Sequence, residues 1–270
     1  MPSGTEVPTR RRITRFGPDG RQEVDDELAA ESPLEIRVGG RGYAVTMRTP
    51  GHDVELAAGF LVSEGLVSAS EDLPEVGVRE DLEGDVVEAE VRGPGALVAM
   101  DRNRHVYTTS SCGVCGLASI DAVATTSRFD VSTDPVVLSV EAIGALPDRL
   151  RAEQAVFDST GGVHAAGIFD ASGASLVVRE DVGRHNAVDK AVGWALLDGR
   201  LPLTGHVLQV SGRASFELVQ KAAMAGIPVL AAVSAPSSLA VDLAERLGIT
   251  LVGFSRRGAF NVYAGAERFG

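Results

Sequence analysis

The two cysteines of this 270-residue chain sit three apart in Ser110-Ser111-Cys112-Gly113-Val114-Cys115-Gly116. Thiolate is the reactive form of cysteine, and a pair at this spacing can close a disulfide, share a metal or pass a sulfur atom. Each chemistry makes its own demand on the rest of the sequence. A zinc site needs two further ligands. His105 and His164 are the nearest candidates, but there is no second Cys-x-x-Cys. A deaminase-type zinc site also needs a His-x-Glu element, and His52-Asp53-Val54-Glu55 has the wrong spacing, so no catalytic zinc is expected. A dithiol oxidoreductase wants its Cys-x-x-Cys near the start of a βαβ unit, which is available if residues 116–127 are helical through Leu117, Ile120 and Val123. Sulfur transfer asks for a thiolate of lowered pKa, as at a helix N-terminus. Cys112 would then carry a persulfide that Cys115 resolves, releasing sulfide and leaving a disulfide. The flanking glycines and serines suit an accessible turn better than an apolar core. These residues alone leave sulfur transfer and redox relay both open.

A second set of chemically suited residues lies in loops that follow candidate strands. Arg179-Glu180-Asp181-Val182-Gly183-Arg184-His185-Asn186 follows one, Ser211-Gly212-Arg213-Ala214-Ser215 the next, Ser234-Ala235-Pro236-Ser237-Ser238 the third and Ser255-Arg256-Arg257-Gly258 the fourth. Arg179, Arg184, Arg213, Arg256 and Arg257 recur beside hydroxylated residues in a chain whose net charge is −12. Guanidinium forks and capping hydroxyls are the donors that phosphate oxygens accept from, so an anion pocket for a phosphate- or nucleotide-bearing ligand is expected there.

The elements that position these loops change character near residue 135. Before it the chain reads as strand-rich. Residues 34–38 and 43–47 flank Gly39-Gly40-Arg41-Gly42, and residues 76–79 and 86–91 flank Gly84-Asp85, two hairpin signals. A short helix is expected between them from Val54, Ala57, Ala58, Leu61 and Val62, ending at Gly65. Residues 105–109 suit one more strand leading to the cysteines. After residue 135 come a helical stretch over 140–155 and a hairpin of 162–169 with 175–179. A regular alternation follows: strand 206–210, helix 215–225, strand 228–233, helix 237–247 and strand 250–254. That order predicts a mostly parallel sheet covered by helices, with ligands taken beyond the carboxyl ends of its strands. The expected organisation is a disordered basic tail over 1–21, a strand-rich N-terminal domain over 22–135 ending in the Cys-x-x-Cys loop, and an α/β domain over 136–270.

Composition narrows the partners. With 44% hydrophobic residues the chain can bury a core without a structural disulfide. Its acidity and 5% aromatic content argue against nucleic acid, which needs a dominant basic surface. Arg10, Arg11, Arg12 and Arg15 are followed by polar residues rather than an apolar run, and no stretch approaches membrane-spanning length. A soluble cytoplasmic protein is therefore expected, with no membrane contact.

The sulfur segment stands together with three others: Phe157-Asp158-Ser159-Thr160-Gly161-Gly162-Val163-His164, the run from Glu180 to Lys190, and the ending Gly253-Phe254-Ser255-Arg256-Arg257-Gly258-Ala259-Phe260-Asn261-Val262-Tyr263. In this order they resemble the FdhD family, the formate dehydrogenase accessory sulfurtransferases, from about Pro33 to the C-terminus. The resemblance implies a sulfur carrier that takes sulfur from a cysteine desulfurase. The recipient is the molybdenum or tungsten bis-guanine-dinucleotide cofactor, sulfurated before insertion into formate dehydrogenase, with a GDP-like nucleotide as a mimic of part of it. It also implies a cytidine deaminase-like three-layer core, Cys112 as the persulfide cysteine with Cys115 as its partner, cofactor binding by Phe254, Ser255, Arg256, Arg257, Gly258 and Ala259, and a homodimer. Asp181, His185 and Lys190 fit either helix capping or ligand contact, and His164 either the ligand or a backbone partner. A dithiol oxidoreductase and a non-catalytic cofactor-binding chaperone remain the alternatives.

Overall fold

The computed structural model describes residues 8–79, 84–101 and 127–270. The chain opens with a two-stranded antiparallel hairpin, β1 (Thr9–Gly17) and β2 (Gly20–Leu28), in register from Thr9 opposite Leu28 to Gly17 opposite Gly20. The disordered tail expected over residues 1–21 is therefore corrected for residues 9–21. The reason lies across the strands. Arg10 pairs with Glu27 and Arg12 with Asp25, Ile13 faces Val24, and Gly20 supplies a φ of 91° at the turn. An arginine run that looks solvated by itself has an acidic complement thirteen to seventeen residues further on.

A four-stranded sheet follows, ordered β4-β3-β6-β5. Its strands are β3 (Ser32–Val38), β4 (Arg41–Arg48), β5 (Glu75–Val78) and β6 (Val86–Glu90). Both expected hairpins are present, and the central β3 and β6 run parallel. Between them lies α1 (Asp53–Ser63), with Gly65 at φ 74° just beyond its end. Helix α1 is apolar on both sides. Leu56 and Ala57 pack with Leu34, Ile36 and Val87 of the small sheet, while Ala58, Leu61 and Val62 join the larger core. A short helix α2 (Pro94–Asp101) ends this part of the described chain.

The second part is built on a six-stranded sheet ordered β12-β11-β10-β9-β7-β8. Its strands are β7 (His164–Asp170), β8 (Ser175–Asp181), β9 (His206–Val210), β10 (Val229–Ala232), β11 (Thr250–Arg256) and β12 (Ala259–Ala264). Parallel pairing joins β9 to β10 and β10 to β11, whereas β12, β7 and β8 are added antiparallel. The mostly parallel sheet expected from the alternation is thus realised at its centre and gives way at both flanks, because two-stranded hairpins close each edge.

Successive side chains of the central strands serve opposite faces. Leu208, Leu230 and Leu251 face the larger core, and Val207, Val229 and Val252 the smaller. On the first face lie α5 (Arg184–Leu197), α6 (Phe216–Met224) and α7 (Ser238–Leu247). On the second lies α3 (Val140–Ala152) through Ile143, Leu146 and Leu150, followed by the short α4 (Ala155–Thr160). The protein is a mixed α/β structure with several sheets. Its larger core draws on both sides of residue 135, since α1 crosses α5 at Gly59 and Gly193. A Cβ at Gly59 would lie 1.8 Å from the Asp189 carbonyl oxygen, and one at Gly193 would lie 1.8 Å from that of Glu55.

Candidate functional site

The four loops converge as their strand order requires. Val182 after β8, Ser211 after β9, Val233 after β10 and the arginines at the end of β11 line one cleft of about 630 Å³, with His164 at the start of β7 completing the rim. Its other wall comes from α3, α4 and the turn after them, through Pro147, Asp148, Arg151, Gln154, Phe157 and Gly162. A second cavity of about 530 Å³ lies against Phe254, Ala259, Phe260 and Asn261. Arg256 and Arg257 line both cavities.

The segment that joins the cavities has an unusual backbone. Strand β11 runs two residues further than its apolar pattern predicts and pairs Arg256 with Ala259, so Arg257 and Gly258 form a two-residue turn. Their φ values of 54° and 74° are the positive pair that a type I′ hairpin turn needs. A register shift between Gly253 and Arg256 marks a bulge, with Phe254 at φ 52°. Bulges re-aim side chains at sheet edges, and a left-handed non-glycine residue costs about 1–2 kcal/mol that the surroundings must hold in place. Helix α3 supplies that hold at Gly144, where a Cβ would come within 3.0 Å of the Gly258 carbonyl oxygen. Ser255 is fully buried and its hydroxyl has no partner among the described residues, while Phe254, Arg256, Arg257, Gly258 and Ala259 are exposed. Among the described residues no carboxylate pairs with Arg256 or Arg257, so two uncompensated guanidinium groups face a cavity in an acidic protein.

The remaining arginines divide. Arg179, expected at the rim, instead turns to α1 and binds Glu55 at 2.6 and 2.8 Å. Burial pushes the Glu55 carboxyl up, but hydrogen bonds from Arg179 and His52 more than offset this and bring its pKa to about 2. Arg213 is exposed outside both cavities. Arg184 opens α5 near Gly212 and His164, and its buried Nε has no partner among the described residues. Burial, with help from Arg184 and His185, lowers the His164 pKa, which leaves a neutral imidazole on the cleft wall at pH 7.

The motif over residues 180–190 proves to be largely scaffolding. Asp181 is fully buried, lies 2.9 Å from Lys190 Nζ, and accepts from the backbone N–H of Thr49 and Gly183 and from Asn186. Lys190 also donates to the carbonyl oxygens of Thr49 and Glu180. This network ties the α5 start to β4. Glu180 caps α4 by accepting from the N–H groups of Val156 and Phe157. His185 reaches Glu217 at 3.0 Å and Ser215 at 3.4 Å, which lowers the Glu217 pKa.

Cys112 and Cys115 lie outside the described residues, as do the strand expected over 105–109 and nearly all of the helix expected over 116–127. The described chain resumes at Ser127, whose hydroxyl donates to the Ala223 carbonyl near the end of α6. Sequence reasoning missed Asp148, Arg151 and Gln154, which carry no motif of their own. The signal for Asp148 and Arg151 was membership of an amphipathic helix ahead of the matched Phe157 segment, and Gln154 lies just beyond that helix, before α4.

The fold is a three-layered α/β core that carries an arginine-bearing hairpin between two cavities at the end of its sheet. A sequence model described as the FdhD/NarQ family matches residues 29–270, and the chain belongs to that family. It is 54% identical over 271 residues to a sulfur carrier protein FdhD of Mycolicibacterium paratuberculosis, covering 98% of this chain and all of the relative. The corresponding protein of Streptomyces avermitilis is 56% identical over 269 residues, covering 97% and 95% of the two chains. One from Sulfurisphaera tokodaii is 43% identical over 247 residues, covering 90% and 92%. Among solved structures, a candidate formate dehydrogenase accessory protein of Desulfotalea psychrophila superposes with a TM-score of 0.77 at 28% identity, covering 97% of this chain and 99% of the other.

Proposed function

We propose that this chain is a sulfur carrier serving formate dehydrogenase, and that its substrate is the molybdenum bis-guanine-dinucleotide cofactor. The observation that carries the ligand half is the β11–β12 hairpin, where two guanidinium groups with no carboxylate partner among the described residues stand at a strained turn between two cavities. Pyrophosphate oxygens accept bidentate bonds from such groups. The segment Phe254, Ser255, Arg256, Arg257, Gly258 and Ala259 holds the guanine-dinucleotide end, with Arg256 and Arg257 as the charged donors. The core is read as cytidine deaminase-like, with no catalytic zinc.

The sulfur half rests on the cysteine pair and on the relatives' names. A cysteine desulfurase presents a persulfide; the Cys112 thiolate attacks its terminal sulfur, that S–S bond breaks, and the desulfurase thiolate leaves. For release as sulfide, the Cys115 thiolate attacks Cys112 Sγ, expels HS⁻ and leaves a disulfide that a dithiol must reduce. A cytoplasmic homodimer fits this delivery role. Incubating the chain with a desulfurase and cysteine should add about 32 Da, one sulfur, to the peptide bearing Cys112. The adduct should vanish in Cys112→Ala. Its survival there would exclude Cys112 as the carrier, and a dithiol oxidoreductase would instead show only the loss of two hydrogen atoms, two protons with two electrons, on closing a disulfide.

A further inference from the structure

We propose that the open edge of β1 is a docking site for an extended acidic segment of a partner protein, added as a third strand to the N-terminal hairpin. Among the described residues β1 pairs with β2 alone, so the N–H and C=O groups along its other edge have no strand opposite them. Alternate residues of an antiparallel strand turn these groups outward, and such a row is a template for a further strand. Most of β1 is exposed, whereas β2 is the strand that packs on α4. Just beyond β2, Ala29 lies so close to Gly162 that a Cβ built on the glycine would be 3.2 Å from its own. The free edge is thus held beside the α4 wall of the cleft, within reach of a protein that exchanges cargo there. The site does not depend on which ligand the β11–β12 hairpin takes.

Charge names the occupant. From Thr9 to Gly17 the strand carries Arg10, Arg11, Arg12 and Arg15 and no acid. Its two faces differ, because successive side chains alternate. Arg10 and Arg12 share a face with Phe16 and are already paired, with Glu27 and Asp25. Arg11 and Arg15 share the other face with Ile13 and have no carboxylate partner among the described residues; Asp26, opposite Arg11, instead accepts from the N–H of Glu27. Phe16 is 77% exposed at the end of the paired face. A strand that sets carboxylates beside Arg11 and Arg15 and apolar side chains beside Phe16 therefore fits, which is an alternation of acidic and apolar residues. A second copy is a poor occupant. Two-fold pairing of this edge with itself sets arginine beside arginine, and β1 laid on another copy's β2 makes a contact that does not close. Nucleic acid and an anionic membrane offer charge but no main-chain groups to match the edge.

The probe is a fluorescein-labelled peptide that alternates glutamate with valine and matches the nine residues of β1 in length, titrated by fluorescence anisotropy at low salt. The unaltered chain should bind it, and added salt should weaken the binding. Two further peptides carry N-methyl groups on one or the other set of alternate residues. The one whose blocked N–H groups face β1 should bind about tenfold more weakly, and the other about as well as the parent. Arg11→Glu together with Arg15→Glu should weaken the glutamate peptide about tenfold and strengthen a lysine-valine peptide by about the same factor. The melting temperature should not change, because both side chains are exposed. A reversed preference also shows that the double variant is folded. The docking site is overturned if the glutamate peptide does not bind, if both N-methylated peptides bind as the parent does, or if the double variant keeps the original preference. Tighter binding of a single-stranded oligonucleotide or of phosphatidylglycerol vesicles than of the peptide, lost in the same double variant, also overturns it, since charge alone would then select the ligand.

Discussion

Arg256 and Arg257 owe their importance to what they lack. Arg179 in the same chain is consumed by Glu55, and Arg48 by Asp53 and Asp85, whereas no carboxylate among the described residues satisfies the hairpin pair. Charge left unpaired at a fixed turn is available to a ligand without first breaking an ion pair. Replacing both by Ala should weaken GDP binding by about 1–3 kcal/mol, the loss of one or two charge-assisted hydrogen bonds, with little change in melting temperature because both side chains are exposed. Calorimetric titration of the double variant checks this, and an unchanged affinity would move the phosphate site elsewhere. The other residues of the matched motifs follow the opposite logic. Asp181 and Lys190 are buried against each other, and such a pair holds structure rather than ligand.

Helix α1 sets how its neighbours fit at the scale of elements. It is wrapped on one side by the small sheet and on the other by α5, and it can approach α5 only because Gly59 and Gly193 leave the backbones uncovered. Ser63 and Lys221 then meet Asp189 at 2.6 and 2.7 Å, which fastens α1, α5 and α6 together. Gly193→Ala should destabilise the protein by about 3 kcal/mol or more, despite the better helix propensity of alanine, because the new methyl meets backbone rather than a movable side chain. Urea denaturation checks the sign, and a stabilised variant would disprove the close crossing. The N-terminal hairpin gives the complementary lesson. Its strands carry opposite charge, and only their pairing shows that the arginine run has a partner.

The whole molecule is joined across residue 135 by apolar packing, by hydrogen bonds such as those of Thr49 with Asp181 and Lys190, and by the ion pair of Glu55 in α1 with Arg179 in β8. Because the folded Glu55 pKa of about 2 lies below its ordinary 4.5, the pair stabilises fully above about pH 4.5. That stabilisation drains away as pH falls toward 2, and amounts to on the order of 3 kcal/mol. Stability measured by urea unfolding between pH 5 and 3 should therefore fall less steeply in Glu55→Gln than in the unaltered chain. Equal slopes would show that the pair does not couple the two parts. The same joining places the ligand rim at one end of the sheet, while Ser127, where the chain returns from the cysteine segment, is tied to the far end of α6.

Much of this was legible beforehand. Strand 206–210, the helices over 215–225 and 237–247, and both hairpins of the small sheet follow from local periodicity and turn glycines, and the structure returns them within one or two residues. Local chemistry also marked Arg256 and Arg257 as ligand-suited. What local pattern could not show was which charges would be neutralised from far along the chain, since Arg179 and Glu55 are 124 residues apart and equally polar by themselves. Nor could it show that Asp148 and Phe157 face the arginine hairpin across a cleft. The sequence by itself determined which elements form and which side chains carry reactive groups, because both depend on neighbours a few residues away. Only the tertiary structure decided which of those groups stay unpaired and share a cavity, because burial and ion pairing are set by contacts between distant segments.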